Sequence, residues 1–290
     1  MKEVVVISGK GGTGKTTVVA SFAALARDKV MVDCDVDAAD LHLLLEPHVK
    51  ETHEFYGGTC ALIDADLCNG CGLCQDLCRF DAITDTGGEM RVDPTSCEGC
   101  GFCYNVCPLG AIQMKERMAG HWFLSGTRYG PLVHARLGVA QENSGKLVTQ
   151  VRQEAKAVAE ESGANLILSD GPPGIGCPVI ASISGIDLAL VVTEPTLSGI
   201  HDLDRIVSVC QHFGIPALVC VNKYDINLDN TDRIEENCRE LGIDVISRIP
   251  FDEIVIKSLA AGSPVVEYSD GSVSTELVRV WKTLKERLGT

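Results

Sequence analysis

Eight of the fourteen cysteines fall into two runs of identical spacing. Cys68, Cys71, Cys74 and Cys78 recur, at an offset of 29 residues, as Cys97, Cys100, Cys103 and Cys107. Soft thiolates at i, i+3 and i+6 in a tight loop wrap three corners of an iron–sulfur cubane. Zinc, the competing metal, prefers separated C-x₂-C pairs. A second constellation stands near the N-terminus. Gly9-Lys10-Gly11-Gly12-Thr13-Gly14-Lys15-Thr16 fits G-x-x-x-x-G-K-[ST] between an apolar run and a helical pattern. Such glycines let backbone N–H groups curl round a polyphosphate, and the helix N-terminus adds positive potential. Lys15 then reaches the β and γ phosphates, the Thr16 hydroxyl ligates Mg²⁺, and Thr17 contacts the α phosphate.

These groups need a scaffold. Apolar runs at Val4–Ser8, Val30–Asp33, Leu166–Asp170, Leu188–Thr193, Ala217–Asn222 and Asp244–Ile249 read as buried strands. Helical patterns lie between several of them, at Thr16–Arg27, Lys146–Glu161 and His201–Phe213. The alternation predicts an α/β fold, a mostly parallel sheet flanked by helices. Residues 58–117 break the rhythm: no long helical pattern, nine of the cysteines, and a net charge of −5. The repeat extends beyond the thiols, since Gly70, Gly72, Ala82 and Ile83 return as Gly99, Gly101, Ala111 and Ile112. A segment so short and so poor in apolar residues needs a staple other than a hydrophobic core. The expected organisation is therefore one domain from residues 1–57 and 118–290, with a second small domain, 58–117, inserted into it.

Composition narrows the function classes. With 290 residues, 45% of them apolar and 22% charged, the chain is no disordered, collagen-like or coiled-coil polypeptide. A net charge of −15 opposes nucleic acid and anionic lipid as partners. No apolar stretch has the length of a membrane span, and the N-terminus turns Gly-rich too soon for a signal peptide. A cytoplasmic location is expected, where clustered thiols read as metal ligands rather than disulfides.

The second lysine of the loop, Lys10, gives K-G-G-T-G-K-T-T, which resembles the deviant Walker A of the MinD/ParA/Mrp and nitrogenase iron protein superfamily of P-loop ATPases. The resemblance implies a homodimer closed over two Mg·ATP, with Lys10 reaching the partner's phosphates. It continues at Asp33-Cys34-Asp35-Val36-Asp37, where Asp35 would serve the metal, and Asp37 or Asp40 would position the attacking water. Asp170-Gly171-Pro172-Pro173-Gly174 resembles the Walker B and switch II segment, with Asp170 on the Mg²⁺ side and Gly171 beside the γ phosphate. Asn222-Lys223 and Pro250-Phe251-Asp252 resemble the two adenine-side loops, so that Asn222, Pro250 and Asp252 join Gly11, Gly12, Thr13 and Gly14 as nucleotide contacts. ATP is favoured over GTP.

The cysteine runs, C-x₂-C-x₂-C-x₃-C, resemble those of two-cluster bacterial ferredoxins. That resemblance implies two [4Fe–4S] clusters with exchanged fourth ligands. Cys68, Cys71, Cys74 and Cys107 would hold the first; Cys97, Cys100, Cys103 and Cys78 the second. Pro108 keeps the ferredoxin pattern, whereas Arg79 replaces the proline after Cys78. An arginine beside a cluster favours its reduced, more negative state. Of the other cysteines, Cys34, Cys210, Cys220 and Cys238 sit in apolar patterns as core residues, and Cys60 has no partner at metal spacing. Cys177 follows Asp170 by seven residues, with no second cysteine nearby to share a cluster across a dimer.

Taken together, the motifs imply a MinD-type ATPase carrying an inserted ferredoxin, in which nucleotide-driven dimerisation gates electron transfer to a partner redox protein. Two alternatives remain open at this level. One is an iron–sulfur or metallocofactor assembly factor of the Mrp type; the other is a regulatory MinD-like ATPase whose clusters sense redox state. Ser274–Leu288 is expected to pack on the core as a terminal helix rather than to bind membranes. Gln141–Lys146 is expected to form a loop with a helix cap.

Overall fold

The computed structural model describes residues 1–138 and 144–289. Gln141, Glu142 and Asn143, the first half of the expected Gln141–Lys146 loop, lie outside the described residues. Eleven strands follow in chain order: β1 (Lys2–Ser8), β2 (Lys29–Asp33), β3 (His48–Ile63), β4 (Ile83–Asp85), β5 (Met90–Val92), β6 (Ile112–Thr127), β7 (Gly130–Leu137), β8 (Leu166–Pro173), β9 (Leu188–Thr193), β10 (Ala217–Asn222) and β11 (Asp244–Ile249). Nine of them form one sheet in the order β11-β10-β9-β1-β8-β2-β7-β6-β3. From β11 to β7 every recorded neighbour pair is parallel. Helices cover both faces. Phe22 of the helix Lys15–Leu25 and Trp281 of Ser272–Leu288 stack in one buried layer, with ring centroids 5.2 Å apart. Ile206 and Val207 of the helix Leu197–His212 lie in the other layer.

The central strands are apolar because both faces are covered: Val4 to Ile7 are fully buried. Their ends are the important places. β1, β2 and β8 all terminate on one edge of the sheet, and Asp33 stands in register with Asp170 there. Open parallel sheets bind ligands outside the carboxyl ends of their strands.

The chain divides into two compact units. One comprises Met1–His53, Trp122–Arg136 and Ser144–Thr290; the other comprises Glu54–His121 and a return segment beginning at Leu137. In the second unit β4 and β5 make a separate antiparallel hairpin, and the only helices among its described residues are the short Leu73–Asp76 and Phe102–Val106. Its buried cluster is small and contains Cys74 and Cys97 alongside Ala82, Ile83, Met90 and Ile112. Two elements exceed what the sequence suggests: β3 and β6 each run for sixteen residues. The segments His121–Leu124 and Pro131–Leu137 lie in the main sheet, within β6 and β7. The C-terminal helix packs as expected, with Leu277, Trp281, Leu284 and Leu288 buried. Among the described residues no helix is long and apolar enough to cross a membrane.

Candidate functional site

The loop from Gly9 to Gly14 leaves β1 and enters the helix Lys15–Leu25 through two left-handed glycines, Gly12 at φ 77° and Gly14 at φ 97°. A side chain at Gly14 would also collide with the Asn222 amide, whose Nδ2 donates to the Thr13 carbonyl at 2.8 Å. The Asn222 Oδ1 accepts from the Lys223 N–H at 3.0 Å. Asn222 thus braces the loop from beneath. Next to it, Gly12, Gly14, Thr17, Asn222, Pro250 and Asp252 line a mostly apolar cavity of about 250 Å³. Asp252 caps the following helix by accepting from the Ile254 N–H at 2.9 Å, and this fixes the Pro250-Phe251-Asp252 turn.

An acidic group faces the loop. Asp170 is buried, its carboxyl bonded to the Thr16 hydroxyl, while its Oδ1 has no partner. Thr13 Oγ1 is likewise buried and unpartnered. Burial pushes the Asp170 carboxyl up to about 7 against the opposing pull of the Lys15 ammonium. Burial and then the Asp170 charge raise Asp33 well above the carboxylate range. Its two oxygens accept from the Asp35 N–H at 3.0 Å and the Leu41 N–H at 3.2 Å, pinning both ends of the loop that carries Asp37 and Asp40. Asp35 is half-buried and raised by burial, again opposed by Lys15. Asp37 and Asp40 are both exposed; the Asp40 charge reaches Asp35 and Asp170, the Asp37 charge reaches Asp35. The unpartnered Asp170 Oδ1, the Thr16 hydroxyl and the neighbouring Asp35 carboxyl are oxygen donors of the kind a hard divalent cation takes. Gly171 is dictated by packing: a Cβ there would stand 2.5 Å from Ile7 Cγ2 and 2.8 Å from the Val6 carbonyl oxygen.

Lys10 turns away from the acidic group. Its Nζ lies 2.7 Å from Glu194 Oε1 and donates to Thr196 Oγ1 at 3.0 Å and Ser198 Oγ at 3.1 Å. Glu194 Oε2 also accepts from Lys223 Nζ at 3.0 Å, and Lys223 reaches the Gly12 carbonyl at 3.2 Å. Burial works to raise the Glu194 carboxyl, but the two lysines outweigh it and hold it below its ordinary value. Nothing in the residue spacing singles out Glu194, at the end of β9, 184 residues beyond Lys10.

In the second unit the thiols sort into two sets. Cys78, Cys97, Cys100 and Cys103 line one cavity, of about 410 Å³. Cys68, Cys71 and Cys107 line a second, smaller one of about 20 Å³, and Cys74 borders both. The Ala111 N–H donates to Cys107 Sγ at 3.3 Å. No three His, Cys, Asp or Glu among the described residues converge on the position of a single metal ion. A cubane asks for something else, four thiolates spread round its corners on four different irons. Burial raises the Cys74 and Cys103 thiols. The Cys60 thiol donates to the Ala61 carbonyl at 3.5 Å. Cys34, Cys210, Cys220 and Cys238 are buried, and burial drives each thiol up, Cys210 to about 11 and Cys220 and Cys238 to about 12. Cys177 is exposed at the start of the helix Cys177–Ile183.

Residues 4–265 match the model of the CobQ/CobB/MinD/ParA nucleotide binding domain. The chain belongs to this family. Over 287 residues it is 33% identical to the uncharacterized protein MJ0578 of Methanocaldococcus jannaschii, covering 98% of this chain and 96% of that one. The septum site-determining protein MinD of Bacillus subtilis is 24% identical over 272 residues, 90% of this chain and 81% of the relative. Among solved structures, MinD from Pyrococcus horikoshii complexed with Mg-ADP superposes with a TM-score of 0.60 at 18% identity, over 99% and 97% of the two chains. The fold is thus an α/β P-loop NTPase of the MinD kind. In a CobQ/CobB/MinD/ParA domain the signature lysine is legible from sequence, whereas the glutamate that holds it here is visible only in three dimensions.

Proposed function

We propose that this protein is an ATPase whose dimerisation over two Mg·ATP gates electron transfer from two [4Fe–4S] clusters to a partner redox protein. The observation that supports the reading is the gathering of the eight thiols round two cavities, with Cys78 beside the Cys97–Cys103 run, Cys107 beside the Cys68–Cys74 run, and Cys74 bordering both. Cys68, Cys71, Cys74 and Cys107 hold one cluster; Cys97, Cys100, Cys103 and Cys78 hold the other. When bound, the clusters accept single electrons from a reduced donor and pass them to an oxidised acceptor protein. Four thiolate ligands per cluster leave no iron open to substrate, which favours electron carriage over cluster delivery.

The chain's own residues supply the nucleotide chemistry. Gly11, Gly12, Thr13 and Gly14 offer backbone N–H groups to the phosphates, Lys15 neutralises them, and Thr16, Asp35 and Asp170 hold Mg²⁺. Thr17 lies on the α phosphate and Gly171 on the γ phosphate. Asn222, Pro250 and Asp252 border the base. Asp37 or Asp40 orients the water. Lys10 leaves Glu194 and crosses to the partner protomer's phosphates. The second unit begins at Glu54, and the helix His42–Leu45 and the first part of β3 join it to the Asp33–Asp40 loop, so a movement of that loop on nucleotide binding is passed on through them.

The test is an anaerobic redox titration followed by EPR, with and without Mg·ATP, on protein whose iron has been counted. A tenfold change in a one-electron equilibrium is about 59 mV. A nucleotide-driven change of that size in potential, or an equal change in the rate of reduction of an acceptor protein, is expected. Iron-replete protein that hydrolyses ATP but shows neither effect refutes the gating. Protein that holds no iron after anaerobic reconstitution refutes the clusters.

A further inference from the structure

The cavity beside Asn222 keeps large apolar side chains in water. Phe251, Ile256 and Leu259 line it, yet they are 49%, 59% and 43% exposed. All three come from one short stretch, the turn after β11 and the helix Glu253–Ala260 that Asp252 caps. The same cavity is bordered by Gly12 and Gly14 of the phosphate loop. A ligand anchored by its phosphates in that loop therefore meets these side chains with its other end. Covering apolar surface of this kind favours a flat, weakly polar group.

One short segment ties the two sides of the cavity together. β10 ends at Asn222, Lys223 follows in a left-handed conformation at φ 54°, and the chain then makes the 3₁₀ turn Tyr224–Ile226. Asn222 Nδ2 donates to the Thr13 carbonyl at 2.8 Å, and Lys223 Nζ donates to the Gly12 carbonyl at 3.2 Å. Two residues further on, Asp225 Oδ1 accepts from the Phe251 N–H at 2.7 Å. Residues 222–225 thus grip the phosphate loop at one end and the turn carrying Phe251 at the other. A charged acceptor makes a stronger bond to a main-chain N–H than a neutral one. Asp225 does not line the cavity, so whatever it does for a ligand there it does through Phe251.

Resting on the nucleotide reading above, we propose that Phe251 is the platform on which the purine base stacks, and that Asp225 is the positioning residue that sets this ring relative to the phosphate loop. Stacking needs a π face rather than a matched set of donors and acceptors, which suits a cavity walled mostly by apolar side chains. The bound base covers the Phe251 ring together with Ile256 and Leu259. Asp225 acts before the ligand arrives. It holds the turn in the conformation that receives the base, so less freedom is lost on binding.

The test measures, by titration calorimetry on the full chain, the affinities for Mg·ADP and for Mg·pyrophosphate, which has no base. The change in their ratio from wild type to variant isolates the base side. In Phe251→Ala the preference for ADP is expected to fall at least fivefold, the low end for a base on an aromatic ring. Phe251→Tyr, which keeps the ring, is expected to retain it. Asp225→Ala is expected to lower the preference by about twofold to tenfold, the worth of one hydrogen bond. Asp225→Asn, whose side-chain oxygen still accepts the Phe251 N–H, recovers it. A Phe251→Ala protein with the wild-type preference overturns the platform. So does one in which both affinities fall together, because the ring would then be shaping the phosphate loop. An unchanged preference in Asp225→Ala, or no recovery in Asp225→Asn, overturns the positioning role. Wild-type protein that binds neither probe overturns the underlying nucleotide reading instead, and the pyrophosphate titration separates the two failures.

Discussion

Replacing Glu194 with glutamine should tighten the ATP-bound dimer. In the resting protomer Glu194 holds Lys10 at 2.7 Å, with 13% and 26% of the two side chains exposed. A lysine that is to serve the partner's phosphates must first leave this carboxylate. Hydrogen bonds to charged groups contribute about 1.5–3 kcal/mol net. Glutamine keeps a neutral acceptor for one lysine, so the substitution forfeits roughly half of that, about 0.8–1.5 kcal/mol, or about fourfold to tenfold in the release equilibrium. A sandwich dimer needs two releases, one per protomer. Its association constant in Mg²⁺ and a non-hydrolysable ATP analogue should therefore rise by between about fifteenfold and a hundredfold.

Sedimentation equilibrium over a range of protein concentrations reads this directly. Glu194 also carries Lys223, which touches the Gly12 carbonyl, so a Lys223→Met variant is the necessary companion. If Glu194→Gln dimerises no more tightly than wild type, Lys10 is not restrained by Glu194 in any way that matters to assembly. If Lys223→Met reproduces the full effect, the gain arises at the base side of the loop and the argument from Lys10 fails.

Four further outcomes follow from the geometry. Asp170→Asn should abolish Mg²⁺-dependent ATP hydrolysis yet raise the melting temperature of nucleotide-free protein at pH 8, because it removes a buried carboxylate that has lost its proton; unchanged hydrolysis would refute the role. The pH dependence has a definite sign. Burial raises Asp170 from 3.8 to about 7, so its contribution to stability is full below its unfolded value and is lost as pH climbs through about 7. Mg²⁺-free protein should accordingly lose melting temperature from pH 5.5 to 8, and added Mg·ADP should restore more at pH 8 than at pH 5.5, as thermal melts will record. Gly171→Ala should cost about 1–3 kcal/mol by overpacking against β1, measured by urea unfolding; a neutral result would mean that β1 and β8 separate there without penalty. Stripping iron with a chelator under reducing conditions should expose amides 54–121 to hydrogen exchange while those of β1, β8 and β9 stay protected, since the smaller unit's buried cluster includes its own cysteines.

The parts of the fold that were legible in the sequence are those where one physical signal dominates. β9 and β10 are buried runs and β11 is a half-buried one; all three appear with the expected limits, Leu188–Thr193, Ala217–Asn222 and Asp244–Ile249. The loop of Gly9–Thr16 was legible because only glycine tolerates the backbone at Gly12 and Gly14, and because Lys15 and Thr16 occupy fixed places after it. β3 was not. Its residues His48–Glu54 are mostly exposed and carry charges on successive positions, so neither continuous burial nor alternation marks a strand. An edge strand of that kind is held by backbone pairing, which leaves no trace in residue types. The Gly171 constraint was legible as a motif, but its cause, the close approach of β1, is a property of the assembled sheet.

The same division explains why the candidate site was only half readable. Residues that must touch phosphate or metal are chosen for their chemistry, and chemistry can be read one residue at a time. Residues that restrain those groups are chosen for position. Asp33 looks like one more acid in an acidic run, yet it alone is buried deeply enough to pin the Asp35 and Leu41 amides and so shape the loop carrying Asp37 and Asp40. Glu194 looks like the polar end of an apolar strand, yet it gathers Lys10 and Lys223 into one network. Glu194 and Lys10 lie 184 residues apart in sequence, and the sheet that brings them together is built by residues that carry no functional group at all. A functional reading drawn from motifs alone therefore recovers the reactive groups and systematically omits the ones that hold them at rest, which are the residues where regulation is most readily tested.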